Sequence, residues 1–262
     1  MLRVKRCVST SSCRTCRAFL ASDPVANVLV LGDVYEPLFR VSDVYVAYEG
    51  SRLTGACSIY RAFPTPSIVF STGKAETKQA LIEKALGQVS GDFISLCSPE
   101  DAYLFEKHAT SLDRRFEQQM VARSTDISSE LCLGVSRVKK CDLELLDRFY
   151  VDHCSEAWAP IQFEAGPYYC IKQDGDIVSA AGVHLVAPQI AQLGNIVTDK
   201  AYRNRGFAGA CTSALAAALA SEDRIISLFV RTDNCAAIHI YEVLGFTKKR
   251  DIMFLVMRKY SD

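Results

Sequence analysis

The chain lacks an excess of charge of either sign. Thirty basic residues balance thirty acidic ones, so no net positive field is available to hold a phosphate backbone, and nucleic acid is excluded as the expected partner. It also lacks a long apolar run. The uncharged stretch 206–221 is alanine-rich and shorter than the about 20 residues a membrane span requires. Nor do its opening residues read as a secretory leader. Eleven cysteines, an odd number, are therefore expected as reduced thiols of a cytoplasmic protein rather than as a disulfide framework. Cys13 and Cys16 form a C-x-x-C, but no second pair at zinc spacing accompanies it, and no metal is expected. Tryptophan occurs once, at Trp158.

What is present suits a folded protein. Hydrophobic residues make up 49% and charged residues 23% of 262, enough to bury a core. Arg3, Lys5, Arg6, Arg14 and Arg17 precede the first acid, Asp23, a bias shared with mitochondrial presequences. The apolar–basic alternation of 2–8 reads instead as an opening strand, followed by a helix.

Periodicity and punctuation predict helices at 13–21 and 24–31, strands at 44–48, 52–61 and 67–71, and a helix at 75–88. A strand at 93–97, a helix opened by Ser98-Pro99-Glu100 and a strand at 116–124 follow. Polar 124–130 reads as a linker, which divides the chain into 1–130 and 131–262. The second part predicts a strand near 131–138, a helix at 142–153, and strands at 168–172, 177–186 and 190–198. A long helix, a strand at 225–231, a helix at 236–244 and a strand at 252–258 complete it. The expected class is α+β, a mixed and mostly antiparallel sheet flanked by helices. Glu49-Gly50-Ser51-Arg52 parallels Asp174-Gly175-Asp176-Ile177, two hairpin signals that suggest two related halves.

The informative segment runs from Asn195 through Ile196, Val197, Thr198 and Asp199 to Arg203, Asn204, Arg205, Gly206, Phe207, Ala208 and Gly209. A strand ends in a basic turn and passes into a helix that opens with small residues. The free amides of such a helix end, reinforced by its dipole, form a diphosphate site, and the two arginines can add charge-assisted bonds. After the next strand, Asn234 suits an N-cap and Gly245 a C-cap, with Ala237 and Tyr241 between them.

At these residues the chain resembles the GNAT N-acetyltransferase superfamily. Arg203, Gly206 and Ala208 match its acyl-CoA motif, and Asn234, Ala237, Tyr241, Gly245 and Phe246 its later pattern. The flavour is that of the glycine N-acyltransferase-like, FR47-like branch, with a degenerate GNAT-like half ahead of the working one. The motif resemblance covers 131–262. It implies the acyl-CoA N-acyltransferase fold, acetyl-CoA as cosubstrate, and a small-molecule or amino-acid-like amine as acceptor, with a protein N-terminus or lysine, or a CoA sensor without turnover, as alternatives. A homodimer is allowed. Asn195, Ile196, Val197, Arg203, Asn204, Arg205, Gly206, Phe207, Ala208, Asn234, Ala237 and Tyr241 are then the cofactor-binding residues, and Tyr241 the acid for the leaving thiolate. No acid occurs between Asp176 and Asp199, and Gln192 stands where relatives often carry a carboxylate. His184 and Glu164 are the candidate bases. Glu164 lies in an aromatic stretch, His153 to Tyr169, expected to wall the acceptor pocket or to form a hydrophobic seam between the halves.

Overall fold

The structure is a computed structural model that describes residues 2–9, 13–71, 73–123, 134–219 and 224–260. It divides into two compact units, Met1–Gln118 with Arg250–Asp262, and Gln119–Lys249. The division does not fall on a linker at 124–130, which lies outside the described residues. It runs through two long strands. β6 (Ala109–Arg123) enters the second unit at residue 119, and β12 (Thr247–Lys259) returns the chain to the first at residue 250.

In the first unit β1 (Leu2–Arg6) pairs antiparallel with β2 (Ser42–Glu49), β2 with β3 (Arg52–Tyr60), and β3 with β4 (Ser67–Phe70). Helix α3 (Ala75–Leu86) then leads to β5 (Asp92–Cys97), which lies parallel to β4 and on its other side receives β12. Successive β3 residues show how the sheet is covered, because strand side chains alternate between faces. Cys57 reaches the Leu81 carbonyl of α3, while the Ser58 hydroxyl donates to Asp33 on α2 (Val28–Asp33). Helix α1 (Arg14–Leu20) packs on β3 as well, and its Cys13 and Cys16 are buried, the Cys16 thiol pushed up to about 12 by burial.

The second unit repeats this order. A short β7 (Ser136–Arg137), α5 (Leu143–Asp152) and α6 (Gln162–Ala165) precede β8 (Tyr169–Gln173), β9 (Asp176–Val186) and β10 (Ile190–Thr198), an antiparallel run. Helix α7 (Phe207–Leu219) packs on β8, β9 and β10 and leads to β11 (Ile225–Arg231), parallel to β10, followed by α8 (Cys235–Val243). Each unit is a mixed, mostly antiparallel sheet with helices against it. The two acidic-Gly signals are hairpins, with Gly50 at φ 62° and Gly175 at φ 93°, a conformation in which a side chain is strained.

Several boundaries differ from expectation. The helix expected at 24–31 begins at Val28, because Asp23 Oδ1 accepts from the Ala26 amide and holds the preceding residues in a turn. The segment after Ser98 is a 3-10 turn, Pro99–Asp101, and a single-turn α4 (Tyr103–Glu106). The strand expected at 116–124 starts at Ala109. Its charged stretch does not break it, since Arg115 pairs with Asp113 at 2.6 Å and Arg114 with Glu106 at 2.7 Å.

Candidate functional site

The site begins where two parallel strands part. β10 and β11 are in register over four pairs, from Ile190↔Ile225 to Leu193↔Leu228, and there the pairing stops. β10 continues to Thr198 paired with β9, while β11 continues to Arg231. The strand edges beyond Leu193 and Leu228 therefore flank a wedge that a chain-like ligand with amide groups can enter as an extra strand.

The anion cradle lies at the end of β10. Asp199 caps the 3-10 turn Lys200–Tyr202 by accepting from the Ala201 amide at 2.7 Å. Asn204 and Gly206 follow with φ of 61° and 76°, and the chain turns into α7. The first amide to enter the helix ladder is that of Ala210, donating to the Gly206 carbonyl at 3.0 Å. Among the described residues the amides of Gly206, Phe207, Ala208 and Gly209 donate to no protein acceptor. Arg203, Asn204, Arg205 and Gly206 are exposed beside them. Arg203 Nε is tied to the Thr198 carbonyl at 3.2 Å and Arg205 lies 5.1 Å from the Tyr202 ring, so both cations are held at the turn.

Helix α8 starts on Asn234, whose side chain accepts from the Ala237 amide at 3.2 Å. Tyr241 follows about two turns later on the buried side, 6% exposed. Burial raises its pKa above the phenol range. Its ring meets Phe246 at 6.0 Å, and its hydroxyl has no hydrogen-bond partner among the described residues.

Residues 171–255 match the family model described as FR47-like protein. Over that segment, about a third of its length, the chain is similar to the FR47-like family. Solved structures share its fold at low identity. A tandem GNAT protein from the clavulanic acid biosynthesis pathway is 13% identical, with all of both chains covered and a TM-score of 0.62. A Drosophila protein is 12% identical over 99% of this chain and 98% of its own, TM-score 0.70. A GCN5-related N-acetyltransferase from Sphaerobacter thermophilus is 14% identical over 100% and 97%, TM-score 0.60. No curated protein matches in sequence. The chain thus has the acyl-CoA N-acyltransferase fold, and the wedge, the open helix end and α8 occur together in its second unit.

The candidate bases lie on different elements, α6 and β9. Glu164 is exposed on α6. His184 occupies a bulge of β9, between Leu185 opposite Gln192 and Val183 opposite Leu193. Burial pushes its pKa down to about 4, against the opposing effect of a hydrogen bond to Asn195, and its Nε2 is shielded from water without a partner. The imidazole is therefore neutral at pH 7. It rests on Gly194, where an added Cβ would come within 2.1 Å of Nε2. Gln192 is 1% exposed with Oε1 unpartnered.

The aromatic stretch closes on itself within the second unit's core. Tyr168 meets Trp158 at 5.4 Å and Phe163 at 5.8 Å, and Trp158 meets Tyr150 of α5 at 4.7 Å. Two polar features were outside the sequence reading. His153, at the end of α5, approaches Asp199 at 3.0 Å through Nε2. Asn195 lies at the centre of a buried hydrogen-bond cluster. The glycines of adjacent strands, Gly182 and Gly194, were the available signal for the cluster, since a strand glycine marks close approach.

Proposed function

We propose that the second unit is an acyl-CoA-dependent N-acyltransferase that moves an acetyl group from acetyl-CoA to a primary amine of a small or amino-acid-like molecule. One observation carries this reading: the parallel pair that separates after four residue pairs opens beside a helix end with four free amides. Those amides, with Arg203, Asn204 and Arg205, would take the diphosphate. The free edge of β10 near Ile196 and Val197 would take the pantetheine and polarise the thioester carbonyl. The amine nitrogen attacks that carbonyl carbon, the C–S bond breaks, and Tyr241 gives its hydroxyl proton to the departing sulfur. The proton lost by the amine leaves through His184, Glu164 or water.

A second reading, CoA binding without turnover, is favoured by Gln192 at the expected carboxylate position and by the neutral, enclosed His184. Thiol release from acetyl-CoA across a panel of amines, measured beside CoA binding by calorimetry, separates the two. Binding with no release by any amine would favour the sensor, and absence of binding would refute both.

A further inference from the structure

The edge of β10 has its shape imposed from behind. Between Gly194↔Gly182 and Val197↔Ala180, β10 spends three residues where β9 spends two. Asn195 sits in this bulge at φ 52°, a left-handed conformation that costs most residues roughly 1 to 2 kcal/mol and asparagine less. The cost is offset by a set of bonds reaching Asn195 from α5, from the loop after it, from α6 and from the residue before β8. Its Nδ2 donates to Gln162 Oε1 at 3.0 Å and to the Tyr168 oxygen at 3.4 Å. Its Oδ1 accepts from the Ser155 hydroxyl at 3.1 Å, and its main-chain carbonyl accepts from the Tyr150 hydroxyl at 2.7 Å. Net values of about 1 kcal/mol per buried bond outweigh the strain.

The partners are themselves fixed. Gln162 Oε1 also accepts from the Ala159 amide at 3.1 Å, and Tyr168 donates to the Val183 carbonyl at 2.9 Å. The Tyr168 ring lies flat on Gly182, where a Cβ would meet it at 1.9 Å. Gln162, Tyr150 and Tyr168 are at most 2% exposed and Asn195 is 7% exposed. The whole array turns its rigidity on one main-chain position, immediately before Ile196 and before Val197, where the pairing with β9 resumes at Ala180.

We propose that Asn195 is a positioning residue that fixes the β10 edge for the thioester end of the ligand while contributing nothing to the nucleotide end. This rests on the acyl-CoA reading of the wedge. Within that reading the two ends of the ligand depend on different parts of the chain, the cradle at Gly206–Gly209 and the bulge at Asn195.

The test compares two probes, acetyl-CoA and 3′-phosphoadenosine 5′-diphosphate, the second lacking pantetheine and thioester. Their dissociation constants are measured by calorimetry for the wild type, Asn195→Ala and Asn195→Gly, with melting temperatures alongside. Alanine loses the side-chain bonds and keeps the strain, whereas glycine relieves the strain. Expected is an about tenfold loss of acetyl-CoA affinity in Asn195→Ala, the equivalent of one or two displaced hydrogen bonds, with nucleotide affinity held within twofold, and a smaller loss in Asn195→Gly. Equal loss for both probes would mean general destabilisation and overturn the assignment. Unchanged acetyl-CoA affinity in folded Asn195→Ala would overturn it too. A wild type that binds neither probe removes the acyl-CoA reading and this inference with it. If Asn195→Ala does not fold, Ser155→Ala, which removes one anchor, carries the same comparison with an about threefold loss expected and no selective loss overturning it.

Discussion

Replacing Gly206 by valine tests the anion cradle at its most sensitive point. Gly206 has φ 76°, where a β-branched residue is strained by roughly 1 to 3 kcal/mol, and its own amide is the first of the four free donors. Either the turn keeps its shape and valine's methyl groups crowd the approach to those donors, or it relaxes and turns the amides aside. A hydrogen bond to a charged group is worth about 1.5 to 3 kcal/mol, so the loss of one or two lowers CoA affinity by at least about tenfold to a hundredfold. Ligand at 100 times its dissociation constant stabilises the fold by about 2.7 kcal/mol, a rise of about 5 to 10 °C for a protein of this size. The assay is the melting temperature with and without saturating CoA. Gly206→Val should lose most of the rise. Gly91→Val is the control, because Gly91 has a similar φ of 73° in the first unit and should lower stability while leaving the rise intact. A full rise in Gly206→Val would refute the placement of the diphosphate.

The remaining expectations are these. Calorimetric titration should give one CoA per chain, and a stoichiometry of two would show a second cradle in the first unit. Tyr241→Phe should lower kcat by about a hundredfold to ten-thousandfold with CoA affinity nearly unchanged, the pattern of a lost general acid, whereas activity within a few-fold of wild type would leave the thiolate departing unaided. Asp33, buried and bonded to Ser58, has its carboxyl raised to about 7, first by burial. A folded pKa above the unfolded one means stability fully present below about pH 4 and lost as pH rises through 7. The rise from 3.8 to about 7 corresponds to up to about 4 kcal/mol. Asp33→Asn should therefore match the wild type in acid and exceed it at pH 8 in denaturant unfolding. Equal slopes against pH would refute the assignment. For His184, whose folded pKa of about 4 lies below the ordinary 6.5, the sign is opposite: its contribution is present above pH 6.5 and lost toward pH 4. His184→Gln should flatten that acid limb.

The strands were legible because their alternation survives in the sequence, and 190–198 and 225–231 fall on the observed β10 and β11. The cradle was legible because its chemistry is local, a strand end, two arginines and small residues within twelve positions. The Asn195 cluster was not legible. Its members Tyr150, Ser155, Gln162 and Tyr168 come from four segments, and they meet only because a bulge reverses the facing of one residue on β10, which pattern reading cannot place. The return of the last strand to the first unit was equally hidden. Residues 252–258 read as a strand whichever sheet they join, and only the pairing of Met253 with Cys97 and Arg258 with Asp92 shows that they complete the first unit.

The two units share an order of elements yet differ at one link. In the first, β4 ends at Phe70 and α3 starts at Ala75, so four residues join strand to helix. In the second, eight residues lie between Thr198 and Phe207. The short link closes on itself. The Ser71 amide donates to the Ala56 carbonyl at 2.8 Å and the Ser71 hydroxyl accepts from the Ala56 amide at 3.0 Å, which spends the strand end on its neighbour. Lys78 in α3's first turn is paired with Asp101 at 2.6 Å and both side chains are mostly buried, while Lys74 at the N-cap is exposed. In the second unit the extra residues hold two positive-φ positions and two exposed arginines, and α7 begins with its amides unspent. A parallel pair that parts beside a helix is thus common to both copies and follows from the fold. What distinguishes them is the connecting loop, four residues in one unit and eight in the other, the longer one carrying two exposed arginines and two left-handed positions, and loops are where function resides when scaffolds are shared.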